Sequence, residues 1–358
     1  MTTTQQPPTP TGKEHARPRL GSDSGGSRLL HQLGRFGLVI GLIVVFVTFS
    51  LWTPASFFTW NNVTATFDQQ AIILMVAFGA MLPLIVGEFD LSIGANAGIA
   101  ILATVGLCSK QGLDPWLAIV CAVGISTLIG LINGLVVTQF HVSSFVATLG
   151  MATLLSGLAE LYTGGVNLAT APTDLTDIGR SELLGLALPV WIAAFAALVL
   201  IIGLQKLRVG RELLAVGLSP RAAELTGIRT TPRIVLAFTV GGAVGGIGGA
   251  FYGAEVGSAS LDTGAALLLP GFAGAFLGAT AITPGRFNVL GTITGVLLLA
   301  FTVGGLQQLG VKPWINSAVQ GVALIVAVAL STWAIRLRAA RLRRAQLDYL
   351  AAEDAATT

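Results

Sequence analysis

The sequence predicts an all-α membrane protein, a polytopic bundle of about ten transmembrane helices with N- and C-termini in the cytoplasm. Composition is the first observation behind this: 53% of the 358 residues are hydrophobic and only 10% charged, with a mean hydropathy of +0.80. A soluble domain carries about 25% charged residues, so water is not the medium this chain is suited to. Recurrence is the second. Apolar runs of about 17–24 residues follow one another, near the ~20 that cross a ~30 Å hydrocarbon layer at 1.5 Å per residue. Charge placement is the third. Sixteen of the twenty basic residues fall in three clusters, before the first run, in one long loop, and after the last run, and Lys and Arg mark the cytoplasmic side.

In order, residues 1–35 form a polar leader rich in Thr, Pro, Gly and Ser that holds Lys13, Arg17, Arg19, Arg28 and Arg35. It has too little apolar area to offset its ordering entropy and is expected to be a disordered cytoplasmic segment. The run behind it lacks a small-residue cleavage site and reads as an uncleaved first span. A membrane domain, 36–335, then holds apolar runs at 36–52, 68–86, 91–107, 115–138, 143–162, 186–204, 234–252, 264–280, 287–303 and 315–333. Six precede the loop at 205–233 and four follow it. Both numbers are even, so all three basic clusters fall on one side; eight spans would satisfy the same parity. The outward loops (53–67, 108–114, 163–185, 253–263, 304–314) carry three basic residues against six acidic ones. A basic cytoplasmic tail, 336–358, follows.

Several classes are excluded. Cys108 and Cys121 make no C-x-x-C or disulfide framework. His15, His31 and His141 are too far apart in sequence to read as a metal site. The glycine-rich stretches lack a following GK[ST], so no phosphate loop is present, and no cofactor or nucleotide site is expected. The basic residues flank apolar runs without interleaved aromatics, which argues against nucleic acid as a partner. Membrane lipid is the expected surrounding.

Three stretches carry information. In Val86–Gly98, VGEFDLSIGANAG, Gly87 is placed to end one helix in a left-handed conformation and Asp90 to cap the next. Gly94 and Gly98 form a GxxxG face. Glu88 and Asp90, two carboxylates beside a span, are expected at the interface or in a polar cavity; capping and a gating role both remain open for Asp90. Gly241, Gly245, Gly249 and Gly253 recur every fourth residue, a stripe that lets a neighbouring backbone approach, and Gly271, Ala275 and Ala279 make a second small-residue ladder. In the basic loop, Ser219 is an N-cap, Pro220 suits the first helical position and Gly227 is a stop, predicting a short amphipathic peg over 220–226.

The three patches together resemble permease subunits of bacterial ABC importers, in the ribose/xylose-type sugar branch. Gly87-Glu88-Phe89-Asp90-Leu91-Ser92-Ile93-Gly94 resembles a G-x-[IF]-D-L-S-[VI]-G signature. Ala215-Val216-Gly217, Ala222-Ala223 and Thr226-Gly227-Ile228 resemble a coupling loop, and Pro284-Gly285-Arg286 with Gly291-Thr292 resembles a G-R-x-x-G-T segment. Glu88, Arg221 and Ala279-Thr280 depart from the usual pattern. The resemblance implies a dimeric permease, homo- or heterodimeric, in the inner membrane. Its partners would be cytoplasmic ABC ATPase subunits and a periplasmic or lipid-anchored solute-binding protein that delivers a monosaccharide or polyol. The chain itself would not be an enzyme. Ser219, Pro220, Arg221, Ala222, Ala223, Glu224 and Gly227 would form the ATPase-coupling helix, with Arg221 and Glu224 as charged rim. Gly87, Glu88, Asp90, Ser92 and Gly94 would form the signature or gate. Polar residues in or beside the spans (Asn96, Asn133, Ser143, Ser144, Thr148, Gln307, Asn316, Gln320) are the candidates for a sugar pathway. The rival is an ion-coupled secondary transporter, which wants an ionisable residue deep in a span; Glu160 is the nearest candidate.

Overall fold

The computed structural model describes residues 25–330, with side chains from 36 onward. The helices are α1 (Gly25–Trp52), α2 (Trp60–Ile85), α3 (Ile93–Ser109), α4 (Pro115–Gln139), α5 (Ser144–Thr163) and the short α6 (Thr173–Gly179). A two-stranded antiparallel hairpin, β1 (Glu182–Leu183) with β2 (Leu186–Ala187), leads into α7 (Leu188–Gln205). Then come α8 (Arg208–Leu218), α9 (Pro220–Leu225), α10 (Thr230–Val256), α11 (Thr263–Gly278), α12 (Val289–Gln308) and α13 (Trp314–Leu330). Six of these, α2, α4, α5, α7, α10 and α12, are long and apolar enough to cross a membrane; Phe36–Trp52 of α1, α3, α11 and α13 are shorter apolar helices. The chain is an all-α multi-pass bundle.

Local chemistry sets the helix starts. Asp114 accepts from the backbone N–H groups of Trp116 (2.9 Å) and Leu117 (3.2 Å), with Pro115 at the first helical position of α4. Thr59 caps α2 through the Asn62 N–H at 3.2 Å. These contacts occupy N–H groups that have no partner inside the helix. α1 begins at Gly25, ahead of the expected span. Arg28 to Leu33, RLLHQL, contains neither Gly nor Pro, which suits a helix that starts ahead of the span. Residues 1–24 and the tail 336–358 lie outside the described residues.

The core is built on α2 and α10. Every α2 side chain from Leu74 to Ile85 is buried, the mark of a helix enclosed on all sides. α10 lies against α2, α3 and α4, and α11 joins α2 and α3 to α12. Phe49, Phe57 and Phe301 form a separate cluster tying α1 to α12. α6 and the hairpin cap one end of the bundle, where Arg180 Nε donates to the Glu255 carbonyl at 2.8 Å and the Ala187 N–H to Asp68 Oδ1 at 3.1 Å. Large apolar side chains cover the outer faces of α4 (Leu117, Val120), α5 (Phe145, Leu149) and α7 (Phe195, Leu198). In water such a surface would aggregate; against acyl chains it is at home.

Candidate coupling loop and transport pathway

The basic loop between α7 and α10 is two helices at an angle. α9 has the boundaries its residues dictate: Ser219 Oγ accepts from the Ala222 N–H at 3.3 Å, and Gly227, at φ +83°, ends it. There the Gly227 N–H reaches the Glu224 carbonyl (2.9 Å) and the Ile228 N–H the Ala223 carbonyl (3.0 Å), a Schellman motif. Ala223 is buried while Arg221, Ala222 and Glu224 are exposed. Leu225 is 85% exposed and Leu218 stands out beside it. Glu224 is not a free rim charge, because Thr230 Oγ1 donates to its Oε1 at 2.8 Å and ties α9 to the first turn of α10.

Sequence reasoning missed α8. Its signal was there: Val209, Leu213 and Val216 follow helical spacing, interrupted by charges and two glycines. Both glycines are seats. A β-carbon at Gly210 would collide with the Gly203 carbonyl oxygen, and one at Gly217 with the carbonyl oxygen of Ile85 at the end of α2. Glu212 fixes the third point. Arg208 Nε donates to its Oε1 at 2.7 Å and Arg233 Nε, from α10, to its Oε2 at 2.6 Å. The hydrogen bond from Arg208, then those and the charge of Arg233, hold the Glu212 carboxyl below its ordinary range despite partial desolvation. Glu212 side-chain exposure is 10% and that of Arg233 28%, against 87% for Arg208, so added salt loosens the Arg208 arm first.

A depressed carboxylate stabilises the fold above its unfolded value of 4.5 and loses that contribution as pH falls through the lower folded value. Hydrogen exchange over 208–218, corrected for intrinsic rates, is therefore expected to accelerate below about pH 4.5 in the native chain. In Glu212→Gln it should be fast at every pH with no such step. A step of the same size in both chains would remove the clamp.

The 86–98 join has the left-handed glycine its sequence calls for. Gly87 sits at φ +87°, with the Gly87 and Glu88 N–H groups bonded to the Leu84 and Pro83 carbonyls at 3.2 and 3.0 Å. Two expectations for Asp90 are corrected. It is wholly buried rather than exposed at a surface. Nor does it cap α3 directly: its Oδ1 accepts from Ser92 N–H (3.0 Å) and Oγ (2.6 Å), and Ser92 is the residue before the helix. The local bonds that short, polar Asp and Ser favour have won over the helix cap. Asn133 Nδ2 donates to Ser92 Oγ at 2.7 Å and Asn96 Nδ2 to the Ser126 carbonyl at 3.1 Å. Asn96 and Asn133 thus hold α3 to α4 inside the bundle, and Glu88 is half-buried. Ser144 Oγ and Thr148 Oγ1 accept the N–H groups of Phe89 and Leu91 at 3.1 and 3.0 Å, stitching the signature to α5.

The glycine stripe faces backbone at Gly241, Gly249 and Gly253 and the Ile93 side chain at Gly245. β-Carbons at Gly241 and Gly245 would stand 2.7 Å from the Gly79 carbonyl oxygen and from Ile93 Cδ1, and at Gly253 3.0 Å from the Ile101 carbonyl oxygen; at Gly249 one would overlap the Ala97 carbonyl. A second face, Gly242 and Gly246, lies on Ser126 and Gly130 of α4; sequence reading missed it because the doubled glycines hide two registers. Gly94 meets Gly264 of α11. In the Pro284-Gly285-Arg286 segment Asn288, also missed, closes the loop: its Nδ2 reaches the Gly278, Ala281 and Arg286 carbonyls at 3.1–3.2 Å and its Oδ1 caps α12 through the Gly291 N–H at 2.7 Å.

Of the candidate pathway residues, Gln307 and Asn316 do meet, Nε2 to Oδ1 at 2.8 Å. They line a cavity of about 530 Å³ together with Gln320 and with Asn62, Gln69, Gln70 and Gln308. The last four were not singled out from sequence; the doublets Gln69-Gln70, at the start of one apolar run, and Gln307-Gln308, just past the end of another, were the available signal.

Buried polar pins, close glycine contacts and lipid-suited outer faces define the class, a multi-pass membrane protein. A family model described as "Branched-chain amino acid transport system / permease component" matches residues 62–328, and the chain belongs to that family. It is 31% identical over 304 residues to the ribose import permease protein RbsC of Bacillus subtilis (strain 168), covering 84% of this chain and 93% of that one. Similarity to RbsC of Escherichia coli (strain K12) is 30% over 297 residues, 81% and 91% of the two chains. With the D-allose transport system permease protein AlsC of the same strain it is 26% over 297 residues, 83% and 91%. No solved structure matches it significantly. These relatives, with the membrane-length helices, place the chain in the bacterial inner membrane.

Proposed function

We propose that this chain is the permease subunit of an ATP-driven importer that carries a monosaccharide or related polyol. The observation that carries this is its alignment across most of both chains with ribose and allose import permeases. Hydrolysis belongs to separate ABC ATPase subunits in the cytoplasm, and the sugar arrives on a solute-binding protein on the other face. Two permease copies form the transporter. The exposed surface of α9 and the end of α8, with Leu218, Arg221 and Leu225, is the ATPase contact: apolar anchors flanked by basic charge, presented as a helix for a groove. The basic clusters put both termini in the cytoplasm, and the apolar runs supply ten spans between them.

The test is uptake into proteoliposomes holding the chain with its ATPase and binding protein. Uptake is expected to require ATP on the α9 side and to survive a protonophore. Accumulation by the chain alone, driven by a proton or sodium gradient, would favour the ion-coupled reading instead. Glu160, the residue that reading leans on, lies exposed in the last turn of α5.

A further inference from the structure

We infer that the amide-lined cavity between α2, α11, α12 and α13 is a binding site for one neutral monosaccharide within each protomer, selective against zwitterions and phosphorylated sugars. The inference rests on the importer reading for its cargo class; the location and selectivity come from the cavity.

Position is the first argument. Asn62 and Gln70, in the first half of α2, line the cavity, while Ile85 at the other end of that helix touches α8. At 1.5 Å per residue those points are about 22–35 Å apart, one hydrocarbon thickness. The site therefore lies at the opposite end of the bundle from the coupling loop, where a solute released by a binding protein would arrive.

Chemistry is the second. Each carboxamide offers two donors and an acceptor, so it can meet hydroxyls that both give and take hydrogen bonds. None of the lining residues is charged, and Ile73, Pro270, Val296 and Leu299 form an aliphatic wall suited to the C–H face of a sugar ring. An amino acid or sugar phosphate entering here would shed hydration with no opposite charge to replace it; a neutral polyol would not. The volume, about 530 Å³, falls in the ~300–1,000 Å³ range of small-molecule sites.

Preorganisation is the third. Gln308 Nε2 donates to Asn62 Oδ1 at 2.8 Å and Ser56 Oγ to Gln308 Oε1 at 2.8 Å, which fixes α12 against α2 across the cavity. Gln70 and Gln320 make no side-chain hydrogen bond among the described residues. Their full capacity is open to a ligand.

The experiment is saturation-transfer NMR on the purified full chain in lipid nanodiscs, with millimolar D-ribose, D-xylose and D-allose as probes and L-leucine and ribose 5-phosphate as controls. At least one neutral sugar is expected to give a saturable signal that neither control gives or displaces. In Gln70→Leu and Gln320→Leu that signal should weaken at least about fivefold, the loss of one or two hydrogen bonds, with Gln320→Asn intermediate. Unchanged thermal unfolding of the variants would show that folding is not the cause. Binding of leucine or the phosphate, equal sugar binding in all chains, or no sugar signal at all overturns the site. ATP-dependent sugar uptake by the complete importer tests the importer reading separately and can succeed while the site fails.

Discussion

A Gly249→Leu chain is expected to reach the membrane in low amount and to melt well below the native protein, whereas Gly150→Leu should be neutral. A β-carbon at Gly249 would overlap the Ala97 carbonyl and stand 2.9 Å from Ala100 Cβ. The first obstacle is backbone, which no rotamer change can move, so α10 must part from α3. Overpacking of this kind costs about 1–3 kcal/mol and sometimes more, a large share of the roughly 5–15 kcal/mol that holds a typical fold together. Lipid sharpens the effect, because acyl chains solvate apolar helices as well as neighbouring helices do, leaving close contact to hold the bundle. Gly150, on α5, has nothing within 4 Å of an added β-carbon, so it controls for the change in size. Thermal unfolding followed by size-exclusion chromatography of the two variants decides the matter. Equal melting would mean that the α3–α10 contact yields where its geometry says it cannot.

The second large effect is functional. Ala223→Pro should leave the bundle inserted and stable while abolishing uptake. The Ala223 N–H donates to the Ser219 carbonyl at 3.0 Å; proline removes this bond and drives its ring against the same carbonyl, about 3 kcal/mol or more in a helix. α9 has only six residues, so no second turn remains to hold it. Its unfolding costs the rest of the molecule little, since the clamp at Glu212 lies on α8. In proteoliposomes with ATPase and binding protein, ATP hydrolysis is expected to persist at a basal rate without sugar accumulation. Gly227→Val, strained at φ +83° by about 1–2 kcal/mol, should act the same way more mildly. Native uptake by Ala223→Pro would show that α9 is not the ATPase contact.

Legibility followed the range of the interaction. Ser219, Pro220, Gly227 and Gly87 were readable because caps and left-handed stops are decided within a few residues. The apolar runs that became the six membrane-length helices were readable because lipid imposes its own length. α8 was not, since Gly210 and Gly217 make it a poor helix in isolation and only contact with Ile85 and Gly203 explains them. The Asp90 reading failed for a related reason: nothing local says that Ser92 will take its oxygen, or that Asn133, 41 residues away in sequence, will take Ser92. The cavity was half legible. Gln307, Asn316 and Gln320 stood out singly, but their partners on α2 lie about 240 residues earlier, and no periodicity connects them.

At Gly217, where α8 meets α2, and at Gly242, Gly249 and Gly253, where α10 meets α4 and α3, the nearest neighbour is peptide backbone. Tips can swivel and absorb a displacement; peptide groups in direct contact cannot. A tug on α9 therefore has little slack to take up before it becomes a tilt of the central helix pair, and the first motion of the stroke should be a rocking of whole helices.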